Sequence, residues 1–168
     1  VIELPHEILS SDSFMVSMWI YPTEEHSWRC ALYVKYETGF FGMIPIAWEG
    51  HSSFRIRDSK EVSGWYDISG CKLQVNEWSH YVVSYNAKTE TAYAYINGQL
   101  VGSMKNVPGN RHAKRIVLGG DVFQPSFIGK ICEVTFYNEI RDHDFVSELH
   151  QSYVTRDDFI GFEIGIDK

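Results

Sequence analysis

An all-β fold is what this sequence predicts: two antiparallel sheets packed as a sandwich, with one short helix near the C-terminus. Three observations carry that expectation. Short segments rich in aromatic and β-branched residues follow one another along the chain, as strands do. Turn residues separate them at Pro22, Gly39, Gly50, Gly64, Gly70, Asn86, Asn97-Gly98, Pro108-Gly109 and Gly119-Gly120, and strands at that spacing build sandwiches or barrels. Several segments alternate in a way that puts one set of side chains on each face of a sheet.

The elements follow in order. Val1–Leu4 opens the chain as a strand. Phe14–Tyr21 comes next, with Phe14, Val16, Met18 and Ile20 opposite Met15, Ser17, Trp19 and Tyr21, so that both faces are apolar. Cys30–Tyr36, Phe40–Trp48, Ser53–Arg57 and Lys72–Val75 are the next strand candidates. Trp65-Tyr66-Asp67, between Gly64 and Gly70, reads as a loop. The stretch from Asn76 to Gly102 is the most informative. Trp78–Asn86 is a strand, and Thr91–Ile96 alternates Ala92, Ala94 and Ile96 with Tyr93 and Tyr95. Asn97-Gly98 is a two-residue hairpin signal, because both central residues of a type I′ turn need positive φ. Gln99–Met104 returns from it, and Arg115–Leu118, Phe127–Tyr137 and Phe159–Gly165 complete the strands. One helix is predicted from about Asp142, its capping residue, to Tyr153. Phe145, Val146, Leu149 and Tyr153 form its apolar stripe.

Composition sets the limits. A chain of 168 residues with 44% hydrophobic and 15% aromatic residues can bury a core as one domain, here residues 1–168, without metal or disulfide staples. A net charge of −7 disfavours a phosphate backbone, so nucleic acid is not an expected partner. No apolar run reaches membrane-spanning length. The three cysteines, Cys30, Cys71 and Cys132, are odd in number and lack paired CxxC spacing, which argues against zinc. A Cys30–Cys71 bridge stays open, and Cys132 reads as a buried free thiol facing the same way as Val134 and Phe136. This cysteine usage suits a cytoplasmic or bacterial setting, with an extracellular one as the alternative. The chain opens inside a strand, as a piece of a longer polypeptide would.

A family resemblance rests on the order of several segments. Trp78, His80, the Asn97-Gly98 turn and Leu100 occur in sequence, followed by RIVLGGD (Arg115 to Asp121) and then FIGKICEVTFYNEIRDHDFVSELHQSY (Phe127 to Tyr153). SFMVSMWIYPTE (Ser13 to Glu24) resembles an early core strand, and FIGFEIG (Phe159 to Gly165) a closing one. The whole is similar to the concanavalin A-like jelly rolls of the laminin G-like and pentraxin type. The resemblance implies a jelly-roll sandwich. It also implies a core disulfide near Met18 and Val82, where this chain has no cysteine.

Three chemistries deserve weighing. Glycosidases of this superfold resemble an E-x-D-x-x-E pattern on one strand, which sets two carboxylates at the separation retaining hydrolysis needs; no such pattern occurs here. Calcium needs several converging oxygens. In calcium-binding relatives acids follow the LG strand, and here Asp121 and Gln124 occupy that region, with Asp58 or Asp67 as partners from another loop. Cys132 stands where those relatives place an acid. The third chemistry is stacking of sugar rings on aromatics, for which Trp48, Trp65, Tyr66 and Phe123 are the candidates. Trp19 and Trp78 read as core, His80 as a structural imidazole, and His143 and His150 as surface residues of the helix.

The expectation is therefore a non-catalytic recognition module of a larger protein, binding a glycan or a protein surface. The alternative is a structural accessory domain that packs against the other domains of a multidomain enzyme, such as the large subunit of a bacterial amidase like dimethylformamidase. Calcium, through Asp121 and Gln124, is the candidate cofactor. Oligomeric state is not specified by any segment.

Overall fold

The computed structural model describes residues 1–109 and 112–156. It contains β1 (Ile2–Leu4), β2 (Phe14–Pro22), β3 (Leu32–Tyr36), β4 (Gly39–Ile44), β5 (His51–Asp58), β6 (Trp65–Lys72), β7 (Ser79–Asn86), β8 (Thr91–Ile96), β9 (Gln99–Met104), β10 (Arg115–Leu118), β11 (Gly129–Tyr137) and α1 (His143–Val154). A six-stranded sheet has the order β1-β10-β3-β4-β5-β6, and a five-stranded sheet the order β11-β2-β7-β8-β9. All neighbours are antiparallel, which gives the jelly-roll sandwich with one short helix.

The core follows from alternation. Phe14, Val16, Met18 and Ile20 of β2 point between the sheets, where they meet Phe41, Met43, Phe54 and Ile56. Phe14 stacks on Phe41 with ring centroids 4.9 Å apart. Each such side chain contributes about 1.5–3 kcal/mol by leaving water. The opposite face of β2 is also buried, because α1 lies across it. Met15, Val82 and Tyr95 pack against Val146, and Trp19 against Tyr153. Asp142 caps the helix by accepting the Phe145 N–H at 2.8 Å.

The Asn97-Gly98 turn adopts φ of 52° and 80°, and the Asn97 side chain accepts the His80 N–H at 2.9 Å. On the side of the sandwich where β6 and β9 run close together, glycine is required. A Cβ on Gly102 would lie 2.2 Å from the Ser69 carbonyl oxygen.

Several expectations are corrected. Trp65-Tyr66-Asp67 is strand, not loop, and β6 ends at Lys72, where the sequence suggested a strand beginning. Gly70 does not break it; on an edge strand it makes room for the Ser52 hydroxyl, 2.2 Å from where its Cβ would stand. The strand from Phe40 stops at Ile44, and Trp48 belongs to a short 3-10 turn. Glu133 takes a φ of 52° in a bulge of β11. The extra residue turns Cys132 toward Trp19 and Tyr153, while Val134 and Phe136 face the main core. Cys132 is therefore half-buried on the helix side. All three cysteines are free thiols. Phe159–Gly165 lies outside the described residues.

Of the two helix histidines, His143 is exposed as expected, whereas His150 turns inward. His143 Nδ1 is 2.6 Å from the Tyr95 hydroxyl, and His150 stacks on Trp19 and His80. His80 is fully buried, 2.7 Å from the Ser17 hydroxyl through Nε2. Burial, then the neighbouring His150, lowers its pKa from 6.5 to about 3.

Two predictions follow from this packing. Between pH 6.5 and about 3 the unfolded chain holds a proton on His80 that the folded chain refuses. Stability must therefore fall as pH falls through that window, by at most about 1.4 kcal/mol per unit from this residue. Urea unfolding across the window should show the slope, reduced in His80→Gln. Separately, Gly102→Ala drives a methyl into backbone and should cost about 1–3 kcal/mol, read as a lower urea midpoint.

Candidate functional site

Helix α1 covers part of the outer face of the five-stranded sheet, whereas the outer face of the six-stranded sheet carries no helix. Register decides what stands on it. Tyr33 pairs with Gly42, Gly42 with Arg55, and Arg55 with Asp67, forming one outward row across four strands. The neighbouring row is Lys35, Phe40, Arg57 and Trp65. Gly42 leaves a depression in the first row, and a Cβ there would come within 2.9 Å of the Cys30 sulfur.

Side chains and loops wall this depression into a cup of ≈ 210 Å³, lined by Trp28, Cys30, Phe40, Ile44, Arg55, Trp65, Asp121, Phe123 and Gln124. Arg55 is fixed by Asp67 through two bonds, Nε to Oδ1 at 2.7 Å and Nη2 to Oδ2 at 2.9 Å. Ser53 donates to the same carboxylate at 2.9 Å. The guanidinium carbon lies 4.4 Å from the Trp28 ring centroid and 4.9 Å from that of Trp65. A guanidinium so placed gains from both ring faces.

The loops are tied together. Arg29 donates to the Ser126 carbonyl at 3.0 Å, Trp28 N–H to Ile46 at 2.8 Å and Gly119 N–H to Ala31 at 2.7 Å. Asp121 Oδ1 accepts the N–H groups of Phe123 and Gln124 at 2.6 and 2.7 Å, which sets the turn that presents Phe123. Burial pushes the Cys30 thiol well above its usual range, and the nearby Asp121 carboxylate adds to the effect through its charge and as a hydrogen-bond acceptor. Burial likewise raises Tyr33, with Asp121 second.

The structure thus brings Trp65, Phe123, Asp121 and Gln124 together. Trp48 stands just outside the cup, 58% exposed, its ring edge-on to Trp28 at 4.8 Å. Tyr66 does not join them: one residue from Trp65 in the same strand, it points inward and packs against the main core. Sequence reasoning missed Trp28, Phe40 and Arg55. A signal for Arg55 existed, since Arg55-Ile56-Arg57 alternates charge with an apolar residue; its partner Asp67 appears only through the pairing of β5 with β6.

As candidate metal ligands, Asp121 and Gln124 share one turn. Asp67 is committed to Arg55, and Asp58 accepts the Lys60 N–H at 3.0 Å. Among the described residues no group of three or more His, Cys, Asp or Glu side chains is placed to hold a metal ion, and no helix is long and apolar enough to cross a membrane.

A larger concavity, ≈ 850 Å³, lies beside the start of α1 and is lined by Tyr93, Tyr95, Arg141, His143 and Glu148 among others. Some of its polar groups are engaged within the chain: Tyr95 binds His143, Arg141 pairs with Glu139 through one terminal nitrogen, and Asp142 caps the helix. Tyr95 shows 1% of its surface. The aromatic cup is the better-built site.

Residues 1–147 match the family model of the concanavalin A-like lectin/glucanase superfamily, laminin G type, and the chain belongs to that family. No curated protein sequence matches it. Among solved structures it is similar to domain 4 of the extracellular arabinanase AbnA of Geobacillus stearothermophilus, determined with arabinotriose. That match has a TM-score of 0.76 and 25% identity, over 89% of this chain and 71% of the other. It is also similar in fold to the sialidase carbohydrate-binding module of Ruminococcus gnavus bound to α2,3-sialyllactose (TM-score 0.70, 13% identity, 86% of this chain and 85% of the other). A third neighbour is the heptameric pentraxin of Limulus polyphemus (TM-score 0.66, 15% identity, 95% and 75%).

The burial of Cys30 yields a direct test. Native-state alkylation with iodoacetamide at neutral pH should modify Cys30 slowest of the three thiols, and peptide mapping after unfolding should show all three labelled.

Proposed function

We propose that this domain is a non-catalytic glycan-binding module that uses the outer face of its six-stranded sheet. The observation that carries this reading is the cup itself. Trp28, Phe40, Trp65 and Phe123 offer ring surface, while Arg55 and Asp121 offer a hydrogen-bond donor and an acceptor beside it. Apolar walls with a few placed polar groups are what a carbohydrate requires, because a sugar has an apolar face and a hydroxylated rim.

Catalysis is not supported. Retaining hydrolysis needs two carboxylates about 5–5.5 Å apart, and Asp67 is held by Arg55, which leaves Asp121 alone in the cup. The arabinotriose in the complex of the arabinanase domain adds to the glycan reading, as does the coarser likeness to other binding domains. In a longer polypeptide such a module would hold its parent protein, an enzyme included, against a glycan. We further propose that binding needs no calcium, since Asp121 is engaged by its own turn.

A glycan panel in calorimetry or affinity electrophoresis tests the proposal. Trp65→Ala and Trp28→Ala should each weaken binding by about tenfold or more, with unchanged melting in the absence of ligand for the exposed Trp65. Lys88→Ala, in a distant turn, should bind normally, and EDTA should change nothing. Absence of binding to every glycan would refute the proposal and leave this face as a docking surface for another domain.

A further inference from the structure

The walls of the cup bear on how a glycan would enter. Arg55 touches both Trp28 and Trp65. Trp65 meets Phe40 at 5.9 Å, and Phe40 meets Phe123 at 5.4 Å. Phe123 is carried by the Asp121 turn, Asp121 accepts from Cys30, and Trp28 packs on the cluster containing Cys30. Aromatic rings thus bound the cup on the sides of Trp28, Trp65, Phe40 and Phe123, and Cys30 lies at its floor.

Size points the same way. At ≈ 210 Å³ the cup is smaller than the roughly 300–1,000 Å³ of pockets that take drug-sized ligands, and suits one sugar ring. Its polar equipment is mixed in sign. Arg55 keeps Nη1 free of the Asp67 bonds, and Asp121 faces the same space. Of a pair of neighbouring hydroxyls, one can accept from Arg55 and the other donate to Asp121. Asp67 already balances the charge of Arg55, so Asp121 leaves the cup net negative, and a carboxylate brought beside it in a partly dry site costs heavily.

Resting on the glycan reading above, we infer that the cup takes a single neutral sugar unit end-on, at a chain terminus or branch, and selects against uronic sugars. Arg55 and Asp121 are the specificity-determining residues, and the remainder of the glycan lies outside in solvent.

The test is a titration followed by NMR, using methyl glycosides of neutral pentoses and hexoses, the matching uronic acids, and one- to four-unit oligomers of the best binder. The expected result is affinity that changes by less than about threefold from one unit to four, with saturation transfer confined to the terminal ring. Uronic acids should bind at least about tenfold more weakly, and Asp121→Asn should remove most of that difference. Fluorescence melting of Asp121→Asn checks that it is folded. Where its turn fails to form, the wild-type contrast between neutral and acidic sugars decides alone. Affinity that climbs about tenfold with each added unit, or equal binding of uronic acids, would overturn the inference and leave the glycan reading standing. Absence of binding to every sugar would remove both.

Discussion

The architecture turns on one constraint: β2 is buried on both faces. Its inward residues Phe14, Val16, Met18 and Ile20 hold the sheets together, and its outward residues Met15, Ser17 and Trp19 have to be covered by something else. The amphipathic helix α1 supplies that cover through Val146, Leu149 and Tyr153. Once the helix is committed there, the five-stranded sheet has little free apolar surface. The largely exposed rings, Trp48, Trp65 and Phe123, stand on the other side of the molecule, at the six-stranded sheet. The division of labour between the two outer faces follows from where one strand needs shelter.

On the open face the central device is the Arg55–Asp67 pair. Both side chains are 21% exposed, so the pair is neither a mobile surface contact nor a dry core charge. Its geometry is bidentate, a form that orients a guanidinium as well as holding it. The Asp67 carboxylate and the Ser53 hydroxyl fix the head, and the flanking indoles fix its plane. Gly42 completes the device by being empty. A side chain there would collide with Cys30 and fill the floor that Arg55 overlooks. The cup thus depends on a cross-strand row in which a glycine stands between a tyrosine and an arginine.

Most of the fold was legible in the sequence because it is written locally. The Asn97-Gly98 turn, the alternation in β2 and β8, and the capped apolar stripe of α1 each need only a few neighbouring residues to be read. What failed was non-local or depended on parity. Gly64 and Gly70 made β6 look like a loop, since nothing in the sequence shows that Gly70 faces the Ser52 hydroxyl. The single-residue bulge at Glu133 reversed the expected facing of Cys132 because alternation is broken by one inserted residue. Trp65 and Tyr66 looked equivalent as loop aromatics, yet a strand sends them to opposite faces. The site was half-legible for the same reason. Trp65, Phe123 and Asp121 could be picked out by type and place. Trp28, Phe40 and Arg55 enter it only through the pairing of strands far apart in the chain.

Trp28 joins these features in one residue. It holds a φ of 68°, a left-handed conformation that is uncommon for a bulky side chain and costs on the order of 1–3 kcal/mol. Sandwich packing does not ask for this, because Trp28 lies in a loop outside the main core. What the conformation achieves is placement: its N–H reaches Ile46, its ring stands edge-on to Trp48, and one of its faces covers Arg55. Strain of this kind persists where surrounding contacts over-determine it, and such positions concentrate at ligand sites. A tryptophan held against its backbone preference, over an arginine held in plane by an aspartate, is an arrangement that core stability does not explain and that the proposed glycan site would.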